Sequence, residues 1–203
     1  MIDWLRTFIL NMLIEAATFL PSGIAINCYQ IKNERYRSLR GIGYMIKKLT
    51  EDDFDDAIDV IRNSFMTVAE EFNITKENAP AFMAYAIDKN KLRTWMFEQS
   101  RPMYGYFDNG KMVGYYNLMI KENECELGSL SVLPEYRHKS IGRKLLEDSL
   151  SKASGYGCTI MKLSIVEENK ILRKWYEDQG FIHTGTIKYD FFPFTCGYLE
   201  KNL

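Results

Sequence analysis

One stretch in the middle of the chain has the features of a phosphate-binding loop. An apolar run ends at Leu133, Pro134 excludes further strand pairing, and a helical pattern begins near Ile141. The first amide groups of a helix lack partners and carry partial positive charge, so they bind phosphate groups. Ser140 and Gly142 keep the side chains small where the backbone would approach such a ligand.

Basic side chains are concentrated in the same stretch. They are Arg137, His138, Lys139, Arg143 and Lys144. The whole chain is nearly neutral, with 26 Lys and Arg residues, 27 Asp and Glu residues and a formal net charge of −1, which excludes a general attraction to nucleic acid. The local charge therefore predicts an anion-binding site. A basic run of this length on a solvated helix face is the alternative.

Length and composition place the chain among globular proteins. Its 203 residues suit one domain, or one domain with an appendage, and a content of 46% hydrophobic and 26% charged residues is too apolar for a disordered chain. The four cysteines form no CxxC pair, and the two histidines offer no zinc-binding spacing. These counts predict no bound metal and a reducing, cytoplasmic location.

From Met45 onward, the hydrophobic pattern predicts the element order β-α-α-β-β-β-α-β-α-β-β, with the second helix over residues 81–99, either continuous or broken near Asn90. A strand–helix–strand unit over residues 124–166 requires at least one parallel pair. Hairpins, one of them turning at residues 108–110, make the other pairs antiparallel. The sequence thus predicts an α/β fold with a mixed, mostly antiparallel central sheet flanked by helices.

Residues 1–44 are predicted to form a separate N-terminal extension, mostly helical, and residues 45–203 the working domain. In residues 1–20 the apolar residues follow helical spacing, but Asp3, Arg6 and Glu15 interrupt them, so no integral membrane span is predicted. The segment also lacks the features of a secretory signal. An extra helix docked on the domain, a helix that binds a membrane surface or a partner, and an extension foreign to the domain all remain open.

The segment over residues 45–203 resembles the GNAT superfamily of N-acetyltransferases. Its acetyl-CoA signature is a strand end followed by Arg/Gln-x-x-Gly-x-Gly/Ala. The residues that match it are Val132, Pro134, Tyr136, Arg137 and Gly142. Ser140 departs from the signature, because it stands where the first glycine is expected.

A second motif strengthens the resemblance. It begins with Asn169 at a helix start and ends with Tyr176-Glu-x-x-Gly-Phe, like the closing motif of the family. The residues themselves predict that Asn169 is an N-cap and that Gly180 is a left-handed C-cap.

The resemblance implies acetyl-CoA as the cosubstrate and no metal. The residues that it assigns to cofactor binding are Leu130, Ser131, Val132, Arg137, His138, Lys139, Ser140, Ile141, Gly142, Arg143 and Asn169. In the family, the backbone amides of residues 137–142 hold the pyrophosphate. The pantetheine arm lies in an opening between the strand at residues 130–132 and the strand at residues 164–166. The side chains of Arg137, Lys139 and Arg143 are expected to add phosphate contacts.

The resemblance also implies the catalytic groups. Tyr176 matches the family's tyrosine acid, which protonates the departing sulfur, and the Val132 amide matches its oxyanion donor. Glu126 stands six residues before Val132, so strict alternation predicts that both side chains lie on one face, as for the glutamate base of histone-type members. A core role for Tyr176, an uninvolved exposed Glu126 and a water relay in place of this glutamate remain open.

The function implied is direct transfer of an acetyl group from acetyl-CoA to a primary amine of an unidentified small molecule or protein N-terminus. The alternative is a non-catalytic CoA-binding or regulatory module with the same fold. No nucleic-acid partner is predicted, and a homodimer is possible.

On the acceptor side, the aromatic run at residues 189–194 is expected to be incompletely buried. Acidic residues at positions 52–59 and 70–71 would attract a cationic amine or form a solvated helix face.

Overall fold

The computed structural model of the protein describes residues 43–203, so the predictions made for residues 1–42 lie outside the described residues. The strands are β1 (Tyr44–Lys48), β2 (Met103–Asp108), β3 (Lys111–Lys121), β4 (Glu124–Val132), β5 (Ile160–Val166), β6 (Ile182–Lys188) and β7 (Thr195–Asn202). The α-helices are α1 (Phe54–Glu71), α2 (Met83–Ala86), α3 (Lys89–Arg93), α4 (Ile141–Gly155) and α5 (Lys170–Asp178). In this part of the chain, no helix combines the length and apolarity needed to cross a membrane.

The strands described here form one sheet in the order β1-β2-β3-β4-β5-β7-β6. Every neighbouring pair is antiparallel except β4 and β5. This parallel pair arises because α4 carries the chain back along the sheet between the two strands. The prediction of an α/β fold with a mixed, mostly antiparallel sheet is therefore confirmed.

Helices α1 and α4 both pack on strands β3 and β4. The face that α4 covers carries Gly114 and Tyr116, because a Cβ atom at Gly114 would touch Leu145 of α4 and the Tyr116 hydroxyl donates a hydrogen bond to Asp148 of α4 at 2.5 Å. Successive residues of a strand point to opposite faces, so Tyr115 and Asn117 lie on the face of β3 opposite α4.

The helix predicted over residues 81–99, continuous or broken near Asn90, is divided into three short pieces. Helix α2 ends at Ala86, the backbone of Ile87 is extended, and Asp88 then accepts a hydrogen bond from the Lys91 amide as the N-cap of α3. A π-helical turn, Thr94–Glu98, follows α3. A continuous helix does not form, and the break lies at Ile87 and Asp88, close to the break considered near Asn90, because the Asp88 carboxylate competes for backbone donors inside an otherwise helical pattern.

Strands β4 and β5 are paired only at their beginnings. Their registered pairs run from Glu124 opposite Ile160 to Glu126 opposite Lys162, and no pair follows beyond this point. Strand β5 stays paired with β7 over its whole length. The second half of β4 therefore diverges from β5 and leaves an opening in the sheet, which we call the splay.

A β-bulge at Ser129 changes the direction of the side chains in β4. Asn117 is opposite Gly128 and Tyr115 is opposite Ser131, so three steps along β4 match two steps along β3. Ser129 itself has a φ of 51°, in the left-handed region. Such a bulge shifts the alternation of all later residues by one position.

The bulge overturns the prediction that Glu126 and Val132 point to one face. Glu126 is registered with Met119, and Val132 is registered with Gly114. Because Met119 and Gly114 lie five residues apart in a regular strand, their side-chain directions are opposite. Glu126 therefore lies on the face opposite α4, whereas Val132 lies on the α4 face.

Candidate active site

The N-terminus of α4 presents a set of unpartnered backbone donors. Within the described residues, the amides of residues 138–143 make no hydrogen bond, whereas the amides of Tyr136 and Arg137 donate to the carbonyls of Leu133 and Pro134. The Ser140 side chain forms no capping bond to the helix. The available donors thus begin one residue later than the predicted range of 137–142. They suit an anion, because helix N-termini concentrate free N–H groups and partial positive charge.

Two left-handed residues shape this turn. His138 and Ser140 have φ values of 61° and 60°. The family signature has a glycine where Ser140 stands, and a left-handed conformation explains why a glycine would be favoured there. Serine keeps this backbone conformation at a cost in free energy of about 1–2 kcal/mol.

Ser140→Gly is expected to stabilise the domain. The substitution relieves the left-handed strain and removes no capping hydrogen bond, but it adds entropy to the unfolded chain, so the net gain is about 0.5–1 kcal/mol. A rise in melting temperature of about 1–4 °C is the measurable result. Ser151→Gly, in the middle of α4 with ordinary helical geometry, is the matched control and should lower the melting temperature. An equal change in both variants would contradict the assignment of strain to Ser140.

The Arg137 side chain faces the interior of the domain. Its Nη2 atom donates to the Ser64 carbonyl oxygen at 3.1 Å and to the Thr67 hydroxyl at 2.9 Å, and its Nε atom donates to the Val132 carbonyl oxygen at 3.3 Å. Burial lowers the pKa of this guanidinium. The expectation that the Arg137 side chain reaches a phosphate does not match this geometry. Arg137 instead ties the loop to α1.

The remaining members of the predicted loop divide into exposed side chains and one buried side chain. His138, Lys139 and Arg143 are exposed at the free amides. The Lys139 ammonium lies 4.7 Å from the centre of the Tyr136 ring. Ile141 is buried in the core, so only its amide is available to a ligand. The side chains of His138, Lys139 and Arg143 are therefore accessible to an anion, whereas the Arg137 side chain is not.

The free edge of β4 offers its own donor to the splay. The Leu133 amide donates to the Val113 carbonyl of β3, so by alternation the Val132 amide points away from β3, toward the splay. Ser131 is buried, and its hydroxyl donates to the Ser129 carbonyl at 2.9 Å across the bulge. Leu130 is half-buried on the same stretch.

Helix α5 begins beside the end of β5 and is held there by two side chains. Asn169 Oδ1 accepts a hydrogen bond from the Leu172 amide at 2.9 Å, as expected for an N-cap. The buried Glu167 carboxylate accepts from Lys170 and Arg173 at 2.6 Å each. Burial raises the pKa of Glu167, but its bonds to Lys170 and Arg173 outweigh this effect and lower it. The Nδ2 group of Asn169 makes no bond within residues 43–203.

Tyr176 is buried in α5. Its ring packs against Trp175, with centroids 4.8 Å apart, and against Phe181, with centroids 5.5 Å apart. Burial raises the pKa of the Tyr176 hydroxyl. The same helix approaches α4, because a Cβ atom at Gly142 would lie 3.8 Å from the Trp175 ring. The tyrosine thus belongs to a helix that borders the turn with the unpartnered amides.

Glu126 is exposed on the face opposite α4 and has no ion pair within the described residues. Its register partner in β5, Lys162, pairs with Glu124 instead, at 2.6 Å. The negative charge of Glu126 acts on Arg101, which precedes β2, and on Tyr198 of β7. The structure therefore places Glu126 next to the beginning of the splay but on the other face from Val132.

Two polar residues of this face were not recognised from the sequence. Asn117 and Tyr115 of β3 are completely buried, and the Asn117 amide and Tyr115 hydroxyl have no hydrogen-bond partner in the described part of the chain. The only local signal was an asparagine within an apolar strand.

The aromatic run after β6 is partly buried, as predicted. Phe194 is buried, Phe192 is half-buried and Phe191 is 64% exposed. The hydroxyls of Tyr189 and Tyr198 are 2.9 Å apart, which fastens the loop to β7. One phenylalanine of this loop is thus left on the surface.

Acidic side chains of α1 border a cavity of about 470 Å³. Its carboxylates belong to Asp56, Asp59, Glu70 and Glu135. The cavity is also lined by Leu133 and Pro134, so it lies next to the end of β4. In the described residues, no group of three or more histidine, cysteine, aspartate or glutamate side chains is arranged to hold a metal ion.

Several known proteins are similar to this chain in sequence. The model of the acetyltransferase (GNAT) family matches residues 65–181, more than half of the chain. A spermidine N(1)-acetyltransferase of Thermoplasma acidophilum is 27% identical over 151 residues, which cover 72% of this chain and 92% of that protein. The [ribosomal protein bS18]-alanine N-acetyltransferase of Escherichia coli is 29% identical over 89 residues, which cover 44% of this chain and 60% of that protein.

Solved structures of other acetyltransferases have the same fold as this chain. The PaiA N-acetyltransferase of Thermoplasma acidophilum, solved in complex with coenzyme A, superimposes with a TM-score of 0.70 at 23% identity and covers 80% of this chain and 100% of that one. The ribosomal-protein-S18-alanine N-acetyltransferase of Escherichia coli gives a TM-score of 0.61 at 18% identity, with 79% of this chain and 94% of that one covered. The family match and the shared fold together show that the chain belongs to the GNAT family of acetyltransferases.

Proposed function

We propose that the protein transfers the acetyl group of acetyl-CoA to a primary amine. The observation that carries this proposal is the set of unpartnered amides at residues 138–143, next to a splay whose β4 edge is unpaired. Exposed amides at a helix N-terminus fit a diphosphate, and an unpaired strand edge fits an extended, amide-containing chain. The residues present thus fit coenzyme A.

The assignment of residues follows from these positions. The amides of residues 138–143 would hold the diphosphate, with Lys139 and Arg143 exposed beside them. Leu130, Ser131 and Val132 would border the pantetheine arm, and Asn169 would contact it through the Nδ2 group that its capping bond leaves free. Arg137 would act through its hold on the loop rather than through direct contact with phosphate.

Bound acetyl-CoA supplies a thioester, whose carbonyl carbon accepts the amine nitrogen as the carbon–sulfur bond breaks. The Val132 amide, which points to the splay, would donate a hydrogen bond to the developing oxyanion. Tyr176 keeps its proton at neutral pH, because burial raises its pKa, and would transfer that proton to the departing sulfur. Glu126 would take the proton that the attacking amine loses.

The acceptor class is suggested by the relatives' names. One relative is named for spermidine, a polyamine, and another for an alanine of a ribosomal protein. The acidic cavity beside α1 would favour a cationic amine, and the exposed Phe191 would favour an acceptor with apolar groups. A primary amine is common to these acceptors.

Release of free thiol from acetyl-CoA, measured across a panel of amines, tests the proposal. The panel contains spermidine, spermine, amino acids and peptides that begin with alanine, and each is compared with its N-acetylated form. We expect thiol release with at least one free amine and none with its blocked counterpart. Binding of coenzyme A without thiol release from any amine would instead support the non-catalytic module.

A further inference from the structure

The carboxylate of Glu167 occupies a niche at the junction of β5 and α5. Glu167 directly follows β5 and is buried. Its Oε2 atom lies over Gly197 of β7, because a Cβ atom at that glycine would collide with Oε2. Gly197 does not have a positive φ, so its backbone conformation does not call for glycine. The missing side chain at position 197 therefore provides the space in which the carboxylate lies against the sheet.

The two carboxylate oxygens of Glu167 face different elements. Oε1 accepts hydrogen bonds from Lys170 and Arg173 of α5, at 2.6 Å each. Oε2 lies 3.2 Å from the Nε2 atom of His183, which belongs to β6. One carboxylate thus lies between the first turn of α5 and the hairpin formed by β6 and β7.

Glu167 Oε2 and His183 Nε2 are both buried, and neither makes a conventional hydrogen bond within residues 43–203. Their separation is within the range of an N–H···O bond. Burial acts to raise the pKa of Glu167, but the bonds from Lys170 and Arg173 outweigh it and lower the pKa, so the carboxylate is ionised at neutral pH. A proton on Nε2 would satisfy both buried atoms, whereas a bare Nε2 would place a lone pair against a negative charge.

The same junction carries Asn169. The Glu167 amide donates to the Thr195 carbonyl oxygen at 2.9 Å, and the Glu168 carboxylate accepts from the Thr195 amide at 3.0 Å. Asn169 uses Oδ1 to cap α5, and its Nδ2 group makes no bond in this part of the chain. Because the N-cap residue begins the helix, the direction of its Nδ2 group depends on where the first turn of α5 is held.

We propose that His183 donates a hydrogen bond from Nε2 to Glu167, and that this clasp between β6 and α5 positions Asn169 for the pantetheine arm of coenzyme A. His183 and Glu167 are positioning residues, since they would act through Asn169. The inference rests on the proposed function, in which the Nδ2 group of Asn169 contacts the arm.

His183→Leu tests the clasp with two ligands that differ in the arm. Titration calorimetry compares coenzyme A with 3′-phospho-ADP, which keeps the diphosphate and lacks the pantetheine. We expect the affinity for coenzyme A to fall about 3- to 30-fold, the range for residues that act through others, and the affinity for 3′-phospho-ADP to stay at the wild-type value. Unchanged affinity for coenzyme A, or equal losses for both ligands, would overturn the inference.

A conservative variant separates the hydrogen bond from the packing of the ring. The side-chain amide of His183→Gln keeps a donor near the position of Nε2, so this variant should regain most of the affinity that His183→Leu loses. Equal losses in the two variants would overturn the inference. Glu177→Gln removes the exposed partner of Arg173 in α5 and is the control, with wild-type affinity expected for both ligands.

A double-mutant cycle identifies action through Asn169. Asn169→Ser keeps a capping oxygen for α5 and removes the Nδ2 group. In this background, His183→Leu should cause little further loss of affinity for coenzyme A, because the group that the clasp positions is already absent. Equal fold-losses in both backgrounds would show that His183 acts independently of Asn169 and would overturn the inference.

Nitrogen-15 NMR of the imidazole rings tests the clasp in the wild-type protein. The chain has two histidines, so the signals of His183 are those that persist in His138→Gln. We expect Nε2 of His183 to carry a proton at pH 7, and an unprotonated Nε2 would overturn the inference.

Failure of the inference and failure of the proposed function give different results. If the wild-type protein binds coenzyme A no more tightly than 3′-phospho-ADP, the arm makes no favourable contact and the inference is overturned, while the assignment of the diphosphate stands. If the wild-type protein binds neither ligand, the proposed function fails as well.

Discussion

Replacing Tyr176 with phenylalanine is expected to lower turnover by about 10- to 1,000-fold while the affinity for coenzyme A changes little. The substitution removes the hydroxyl that would protonate the departing sulfur. It keeps the ring that packs against Trp175 and Phe181, so the local structure should persist. Because burial raises the pKa of this hydroxyl, the wild-type group carries its proton throughout the neutral pH range.

Steady-state thiol release with the best amine of the panel measures this effect, and the dissociation constant of coenzyme A is measured in parallel. Tyr156→Phe is the matched control, since it removes a tyrosine hydroxyl that contacts Tyr104 just after the other end of α4. We expect wild-type turnover in this control. Unchanged turnover in Tyr176→Phe would exclude the tyrosine from the mechanism and make it a core aromatic.

Gly142→Glu is expected to weaken coenzyme A binding by about 10- to 100-fold, which corresponds to about 1.4–2.7 kcal/mol. The glutamate would be placed in the first turn of α4, where its carboxylate competes with the diphosphate for the free amides and repels its charge. The fold should tolerate the change. A Cβ atom at Gly142 meets the Trp175 ring at 3.8 Å and Val132 at 3.9 Å, which are ordinary contacts, and a carboxylate near a helix N-terminus is favourable.

Titration calorimetry with coenzyme A measures this loss, and three variants separate its causes. Gly142→Ala tests the added Cβ atom, Gly142→Gln adds bulk without charge, and Gly155→Glu places the same charge at the far end of α4, where a Cβ atom has open space. The affinity should be near wild type for Gly142→Ala and Gly155→Glu, and intermediate for Gly142→Gln. Wild-type affinity in Gly142→Glu would refute the assignment of the diphosphate to this turn.

The candidate site was predicted best where its chemistry is local. The loop between β4 and α4 follows from a proline that ends a strand, small residues and a helix start, all within ten positions of the chain. The Asn169 cap was likewise predicted from one residue type at a helix start and is confirmed. Local signals of this kind depend on backbone preferences of neighbouring residues, which the sequence displays directly.

The site residues that required the structure depend on contacts between distant segments. Arg137 was expected at a phosphate, but Ser64 and Thr67, some 70 residues away, bind its guanidinium. No prediction was made for Asn117, because the burial of its side chain depends on Gly128 of the next strand, which packs beside it. Neither partner can be read from spacing along the chain.

For this protein, the sequence by itself determined the order of the strands and of the longer helices after residue 43, the mixed sheet and the turn from β4 into α4, because hydrophobic period, proline and glycine act within a few residues. Only the tertiary structure decided which groups meet at the splay. One left-handed residue, Ser129, introduces a bulge that moves Val132 to the α4 face, while Glu126, which precedes the bulge, stays on the face of Asn117. The physical reason is that strand register is set by pairing across the sheet, so a single added residue redirects all the side chains that follow it.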